Sequence, residues 1–109
     1  MLSVEEAAQG FAAAGSESRL EVLLILVRAG PDGLTVGEIQ DGVGIPASTL
    51  AHHLRILCAG GLIEQERAGR AVINRAAYRQ IEQLADYLLR ECCADAAPAR
   101  IAGRAGPAG

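Results

Sequence analysis

Residues 36–61 read VGEIQDGVGIPASTLAHHLRILCAGG, and this stretch decides the fold. It contains a short helical segment at 36–40 and a longer one at 46–59, separated by a turn with two glycines. Pro46 suits the first turn of the second helix, because proline lacks the N–H that this position leaves unpaired. Gly60 and Gly61 end that helix. Two helices joined by such a turn predict a helix-turn-helix.

The second of these helices is amphipathic. At 100° per residue, one side carries leucines and the opposite side carries polar and cationic residues. The apolar side consists of Leu50, Leu54 and Leu57, and the outward side of Ser48, His52 and Arg55. We therefore predict that this helix packs through its leucines and presents a polar, partly cationic face to a partner.

A β-hairpin is predicted directly after the helix-turn-helix. Residues 62–66 and 71–74 are β-prone runs, and the glycine-containing link between them carries Arg67 and Arg70 at the predicted tip. A basic hairpin beside a helix-turn-helix is typical of a wing. The expected fold class is mainly α with a β-hairpin: a winged helix-turn-helix of about five helices plus the wing.

The flanking segments predict three further helices and a tail. Apolar spacing indicates a helix from Val4 to about Gly15, and a central one that Ser16 or Ser18 caps and that stops at Gly30. A last helix carries an uninterrupted apolar stripe, which needs a covering surface: Ile81, Leu84, Ala85, Leu88, Leu89 and Cys92. Residues 1–94 are expected to form the folded domain and residues 95–109 a disordered tail.

Composition limits the function classes. The chain has 109 residues, and its apolar runs fall well short of the roughly 20 that cross a bilayer, so we expect a soluble cytoplasmic protein without a membrane partner. Its net charge is −3, but residues 44–79 hold five arginines against two acids and also contain both histidines. A polyanion would meet this local positive excess. Three cysteines without an evenly paired pattern indicate reduced thiols.

The motifs resemble those of the ArsR/SmtB family of bacterial repressors. The resemblance covers roughly residues 4–93 and is carried by Ser18-Arg19-Leu20, by TLAHHLRILCAGGLI at 49–63, and by the RAGR that follows at 67–70. It implies a homodimer formed through the first and last helices. It also implies binding to an inverted repeat in double-stranded operator DNA, with release when a metal, metalloid or oxidant is sensed. Ala47 and Ala51 replace polar residues that are common in the family.

Candidate DNA contacts follow from the predicted surface. Short side chains on the outward face would read base edges, and arginines of the wing region would neutralise phosphates. The first group is Ser48, Thr49, His52 and Arg55, and the second is Arg67, Arg70, Arg75 and Arg79. His53 lies at the flank of the helix, where packing is an alternative to DNA contact. Arg55 could instead pair with Glu64 or Asp41, and the wing arginines could simply be solvated.

Candidate inducer ligands are the thiols. The family's arsenic-type cysteines on the short helix are missing at residues 36–39, and no histidine follows His53 to complete its zinc-type site. Cys92 and Cys93, with Cys58 as a third candidate, suit trivalent arsenic or antimony, which prefer thiolates. The expected inducer is arsenite, methylarsenite or antimonite, with no cofactor required for DNA binding. Redox or sulfur sensing, and plain packing of these cysteines, are alternatives.

Two other classes of function are compatible with a chain of this kind. A winged helix can serve as a protein-interaction module, but that use does not require arginines on the wing. A thiol oxidoreductase would need a Cys-x-x-Cys motif, and an enzyme acting on phosphates a glycine-rich loop; the sequence has neither. We therefore expect a DNA-binding repressor and not an enzyme.

Overall fold

A computed structural model describes residues 2–90 in full and residues 91–94 as helical backbone. Within this range the chain forms five helices and a three-stranded antiparallel sheet of order β1-β3-β2. This confirms the predicted winged helix-turn-helix. The elements are α1 (Val4–Ala14), α2 (Glu17–Ala29), β1 (Leu34–Thr35), α3 (Val36–Val43), α4 (Ala47–Ala59), β2 (Ile63–Ala68), β3 (Ala71–Ala76) and α5 (Tyr78–Ala94).

Local caps define the ends of the helices. Ser16 is the N-cap of α2 and accepts a hydrogen bond from the N–H of Arg19, which decides between Ser16 and Ser18. Thr35 and Glu38 form a reciprocal capping box at the start of α3. That helix continues past its predicted end to Val43, where Gly44 closes it in the left-handed conformation with a φ of 68°.

The core lies between α2, α4 and the sheet. The largest fully buried apolar side chains are Val22, Leu26, Ile39, Leu50, Leu54, Leu57 and Leu62. Helix α2 is central, as predicted from its apolar residues on several faces, and it contacts α1, α3, α4 and β3. Leu20 is apolar but 42% exposed. It lies in the first turn, where α2 has solvent on one side.

Arg19, from the Ser18-Arg19-Leu20 motif, ties α1 to α2. Its Nε donates to the Ala13 carbonyl at 2.7 Å and its Nη2 donates to the Ala12 carbonyl at 3.2 Å. These carbonyls belong to the last turn of α1, where intrahelical donors run out, and the Ala12 carbonyl also accepts from the N–H of the C-cap Gly15 at 3.2 Å. The arginine therefore has a structural role.

Strand β1 was not predicted. It is two residues long and pairs with β3 through Leu34↔Asn74 and Thr35↔Ile73. So short a strand has no sequence periodicity, and it forms because the chain passes beside β3 on its way into α3. Gly33 makes this approach possible: its φ is 70°, and a Cβ there would lie 2.5 Å from the Asn74 carbonyl oxygen.

The wing is longer than predicted. Strands β2 and β3 pair without a bulge from Ile63↔Ala76 to Ala68↔Ala71, which leaves only Gly69 and Arg70 in the loop. Gly69 has a φ of 64°, the sign that a type II′ turn requires at its first loop residue. Arg67 was predicted at the tip but lies within β2, because the pairing extends beyond the β-prone runs. Arg70 is in the loop, as predicted.

Two predictions concern regions that the structure covers only in part. The tail assigned to residues 95–109 lies outside the described residues. Among the helices of residues 2–94, none combines the length and the apolar character needed to cross a membrane.

Candidate nucleic-acid interface

Helix α4 has the two faces predicted for it. Leu50, Leu54 and Leu57 are between 0% and 2% exposed and fix the helix on the core. The opposite face is exposed along its length and consists of Ser48, Thr49, Ala51, His52 and Arg55. It has no acidic side chain, and its hydroxyl, imidazole and guanidinium groups can form hydrogen bonds with an external partner.

The turn before α4 sets the position of that face. The Gln40 side chain donates from Nε2 to the Ile45 carbonyl at 3.1 Å, and the Gly44 N–H donates to the Gln40 carbonyl at 2.8 Å. Pro46 is the N-cap and supplies no side-chain acceptor to the first turn of α4. The first amides of α4 are therefore not capped by a side chain, and the helix dipole makes such an end attractive to anions.

The wing separates its charges between its two faces. Side chains alternate along a strand, and directly paired residues of antiparallel strands lie on the same face. The face that includes buried Ile63, Asn74 and Ala76 is the inner one, turned toward the core, and Gln65 and Arg67 share it. Glu64 and Glu66 lie on the outer face. The acidic residues of β2 therefore point away from the side on which α4 packs.

Arg75 has a contact that sequence reasoning missed. Its Nε donates to the Pro31 carbonyl at 3.0 Å, and its Nη1 forms an ion pair with Glu66 at 2.9 Å. The guanidinium is thus engaged within the protomer, which argues against the phosphate contact predicted for it. Arg67, Arg70 and Arg79 are exposed.

Arg55, His52 and His53 differ in their surroundings, and these decide between the roles predicted for them. Arg55 is exposed and forms no ion pair with Glu64, Asp41 or any other residue in the described range. His52 is exposed, and His53 is half-buried with its ring 6.2 Å from that of His52. The Nδ1 of His53 is buried without a hydrogen-bond partner among the described residues. Packing is therefore part of the role of His53.

The environment of His53 predicts a pH dependence of stability. Burial lowers the pKa of His53 below its ordinary value of 6.5, and the charges of Arg19 and His52 lower it further. The unfolded chain therefore binds a proton at His53 more readily than the folded protein does. The stability that neutral His53 contributes is fully present above the ordinary pKa of the unfolded state, and it is lost as the pH falls through the lowered pKa of the folded state. We expect His53→Gln to reduce the decrease in melting temperature between about pH 7.5 and 5.5.

The exposed neighbour provides the matched control for this measurement. His52→Gln removes a histidine from the same helix without changing the buried position. We expect this variant to keep most of the pH dependence of the unsubstituted protein in thermal melts followed by circular dichroism, because burial is the largest cause of the lowered pKa of His53 and the charge of His52 is the smallest. An identical pH dependence in His53→Gln and the unsubstituted protein would contradict the assignment.

Of the three candidate cysteines, only Cys58 has a described side chain. Cys58 is free and exposed near the C-terminal end of α4. Cys92 and Cys93 fall in the last turn of α5, but their side chains lie outside the described part of the chain. Among the described residues, no three His, Cys, Asp or Glu side chains come close enough to hold a metal ion. A shared site formed by Cys58, Cys92 and Cys93 therefore stays a prediction.

Apolar side chains remain uncovered on α1 and α5. Leu88 and Leu89 are 55% and 60% exposed, whereas Leu84 in the same predicted stripe is buried against Gly10 of α1. On α1 itself, Val4 and Phe11 are exposed. The two helices pack on each other within the protomer and still leave these apolar side chains uncovered by the rest of residues 2–90. Such a surface is typical of a protein–protein contact.

Comparison with known proteins connects these features to a family. A family model described as a helix-turn-helix domain matches residues 14–66. An ArsR-like transcriptional regulator from Rhodococcus sp. RHA1 has a solved structure that superposes with a TM-score of 0.70 at 31% identity, covering 79% of this chain and 78% of that one. The chain belongs to the ArsR family of winged helix-turn-helix transcriptional regulators.

Two further proteins are similar to this chain. The HTH-type transcriptional regulator NmtR of Mycobacterium tuberculosis is 35% identical over 74 residues, which are 68% of this chain but only 59% of NmtR. A possible ArsR-family regulator from Mycobacterium bovis, a homodimeric winged helix-turn-helix DNA-binding domain in solution, has a TM-score of 0.66 at 24% identity. It covers 79% of this chain and 78% of that one, and at this identity it supports the fold alone.

Sequence reasoning missed a polar pair on the wing. Asn74 is completely buried, and its Oδ1 accepts a hydrogen bond from Nε2 of Gln65 at 2.7 Å. Within the sequence, Asn74 is the uncharged polar residue of the run AVINRA at 71–76, and this was the available signal: a polar residue that is buried in a β-strand needs a partner. The identity of that partner depends on the register of the hairpin.

Proposed function

We propose that the protein is a repressor that binds double-stranded operator DNA through α4 and the wing. The proposal rests on one observation. The same domain has an exposed face of α4 without acidic side chains and a wing on which Arg67 and Arg70 are exposed. An α-helix fits the major groove of B-DNA, where hydroxyl, imidazole and guanidinium groups form hydrogen bonds with base edges. Ser48, Thr49, His52 and Arg55 are the residues to which we assign this role.

The wing supplies affinity that does not depend on base sequence. Each arginine that neutralises a phosphate releases counterions, so its contribution falls as salt rises. Arg67 and Arg70 are exposed and free of ion pairs with the described residues. We assign His53 a supporting role, in which its exposed edge borders the DNA while its buried edge packs on the domain. The net charge of −3 does not oppose this, since the acids of the wing lie on its outer face.

The protein acts as a homodimer in this proposal. An inverted-repeat operator matches a two-fold axis, and the two copies of α4, which are the recognition helices in this proposal, must be about one DNA turn apart. The exposed apolar residues of α1 and α5 are suited to form the seam between protomers. The similar domain from Mycobacterium bovis is itself a homodimer in solution.

The test is a salt-dependent titration. Fluorescence anisotropy of a labelled duplex from the region upstream of the gene is measured at several salt concentrations. We expect tight binding, with log K falling linearly against log salt. Arg67→Ala/Arg70→Ala removes four phosphate contacts from a dimer, so it should weaken binding and reduce the slope by roughly 3 to 4.

Arg28→Ala is the matched control for this double substitution. Arg28 is an exposed arginine in the last turn of α2, outside the proposed surface. Its removal should leave the slope nearly unchanged. An equal loss of slope in both variants, or a wild-type affinity that does not respond to salt, would contradict DNA binding by the wing.

We further propose that thiols receive the inducer. Cys92 and Cys93 are adjacent near the end of α5, close to the proposed seam, and adjacent thiolates suit a trivalent arsenical or antimonite. Cys58 is exposed and is the candidate for a third sulfur. The inducer must bind better to the arrangement of the dimer that cannot hold DNA, and the loss of DNA affinity cannot exceed that difference.

Release of DNA tests this part of the proposal. We expect arsenite, methylarsenite or antimonite to dissociate the complex of protein and duplex, and we expect Cys92→Ser/Cys93→Ser to remain bound. Cys58→Ser tests the third sulfur separately. Release by peroxide alone would indicate a redox sensor instead, and unchanged release in the double variant would remove the adjacent pair from the mechanism.

A further inference from the structure

A groove of about 290 Å³ runs between the recognition helix and the inner face of the wing. It is lined by Val36, Ala51, Leu54, Arg55, Gln65 and Val72. No carboxylate lines it, although β2 carries Glu64 and Glu66, because both of those residues are on the outer face of the wing. Arg55 on α4 and Gln65 on β2 are its polar side chains. Arg67 follows on the same inner face, two residues nearer the tip.

Gln65 is held in this groove by a buried amide. Its Nε2 donates to Oδ1 of Asn74, and Nδ2 of Asn74 donates to the Leu34 carbonyl at 3.3 Å. Asn74 is fully buried, so its amide has few other arrangements open to it. This pair links all three strands: β2 through Gln65, β3 through Asn74 and β1 through Leu34. An exposed glutamine is thereby fixed by a buried neighbour.

The fixed amide retains hydrogen-bonding capacity toward the groove. One N–H of the Gln65 side chain is used by Asn74, which leaves its second N–H and its Oε1 without a protein partner in the described residues. Neutral amide donors commonly contact phosphate oxygens in protein–DNA complexes. Because the hydrogen bond to Asn74 already orders the Gln65 side chain in the free protein, little further conformational entropy is lost when it contacts DNA.

We propose that Gln65 is a further DNA-binding residue, which contacts the phosphate backbone between the recognition helix and the wing, and that Asn74 is its positioning residue. This inference rests on the proposed function, since it assumes that DNA occupies the surface formed by α4 and the wing. It adds a contact of a different kind: Gln65 contributes a hydrogen bond without charge, whereas Arg67 and Arg70 contribute charge.

That difference defines the experiment. We expect Gln65→Leu, which removes the amide and leaves an apolar side chain one atom shorter, to weaken binding of the upstream duplex about tenfold. Its slope of log K against log salt should equal that of the wild type, since no counterion-releasing group has been lost. Gln83→Leu on α5 is the control and should bind as the wild type does. Circular dichroism melts verify that each variant is folded.

Asn74 is tested by coupling. Asn74→Ala should weaken binding in the wild-type background and add little in the Gln65→Leu background, because a positioning residue acts through the group that it positions. Since Asn74→Ala removes a buried group and could prevent folding, the side-chain NH₂ resonances of Gln65 in ¹⁵N spectra provide a second measurement. We expect these resonances to shift when DNA is added to the unsubstituted protein.

The outcomes separate this inference from the proposed function. Wild-type affinity in Gln65→Leu, with reduced affinity in Arg67→Ala/Arg70→Ala, would overturn the role of Gln65 and leave DNA binding by the wing intact. Side-chain resonances of Gln65 that do not move in a DNA complex would overturn it equally. Failure of the unsubstituted protein to bind DNA would overturn both.

Discussion

Leu88→Glu/Leu89→Glu is expected to convert the protein to monomers and to weaken operator binding by roughly 10²- to 10⁴-fold. Both leucines are more than half exposed on α5, and each would bury its side chain in the proposed seam. Two carboxylates per protomer would instead have to enter an apolar contact without partners, which is strongly unfavourable. A monomer reaches only one half-site and loses the gain from binding two sites at once.

The effect is measured by light scattering for the molar mass and by anisotropy for the affinity. Leu20→Glu is the matched control, since Leu20 is also an exposed leucine but lies on α2. This control should remain dimeric and bind DNA normally. A double variant that stays dimeric with full affinity would show that the seam lies elsewhere on the protein.

Gly33→Ala is expected to destabilise the fold far more than Gly44→Ala does. Both glycines have a left-handed backbone, with φ values of 70° and 68°, so an L-residue at either position incurs a strain of about 1–2 kcal/mol. Only Gly33 has a neighbour in the way: its Cβ would lie 2.5 Å from the backbone oxygen of Asn74 and 2.8 Å from Cγ2 of Ile73. Such overpacking adds about 1–3 kcal/mol.

Urea denaturation gives the unfolding free energies of the two variants. Because the backbone strain is common to both, the difference between them measures the steric overlap at Gly33. We expect Gly33→Ala to lose about 2–5 kcal/mol of unfolding free energy and Gly44→Ala about 1–2 kcal/mol. Gly33→Ala should also weaken DNA binding, since it separates β1 from β3 and thereby loosens the wing from α3. Equal stabilities for the two variants would mean that β1 and β3 are not held at this distance.

The recognition helix and the wing could be predicted because their signals are local. Pro46 and the pair Gly60-Gly61 mark the ends of α4, and leucines at helical spacing define its buried face. The exposure of Ser48 and His52 follows from the same periodicity. For the hairpin, two β-prone runs joined by a link with a glycine predict the wing, although the strands extend further than these runs.

The contacts that could not be predicted all depend on register or on close approach across the chain. Strand β1 is too short for a pattern and exists only because β3 lies beside it. Asn74 pairs with Gln65 because the hairpin register places them opposite each other. Arg75 reaches the Pro31 carbonyl, which is 44 residues away along the chain. The sequence indicates that a charged or polar residue in such a position needs a partner, but the tertiary structure determines which residue that partner is.

The central claim is that DNA contacts the outward face of α4 and the inner face of the wing. The most direct measurement is the change in backbone amide resonances of ¹⁵N-labelled protein when the upstream duplex is added. We predict that the largest changes fall at residues 47–56 and 63–72, with Gly42 and Val43, which lie beside α2 at the C-terminal end of α3, nearly unaffected. Changes concentrated on α2 and α5, with α4 and the wing unmoved, would contradict the account.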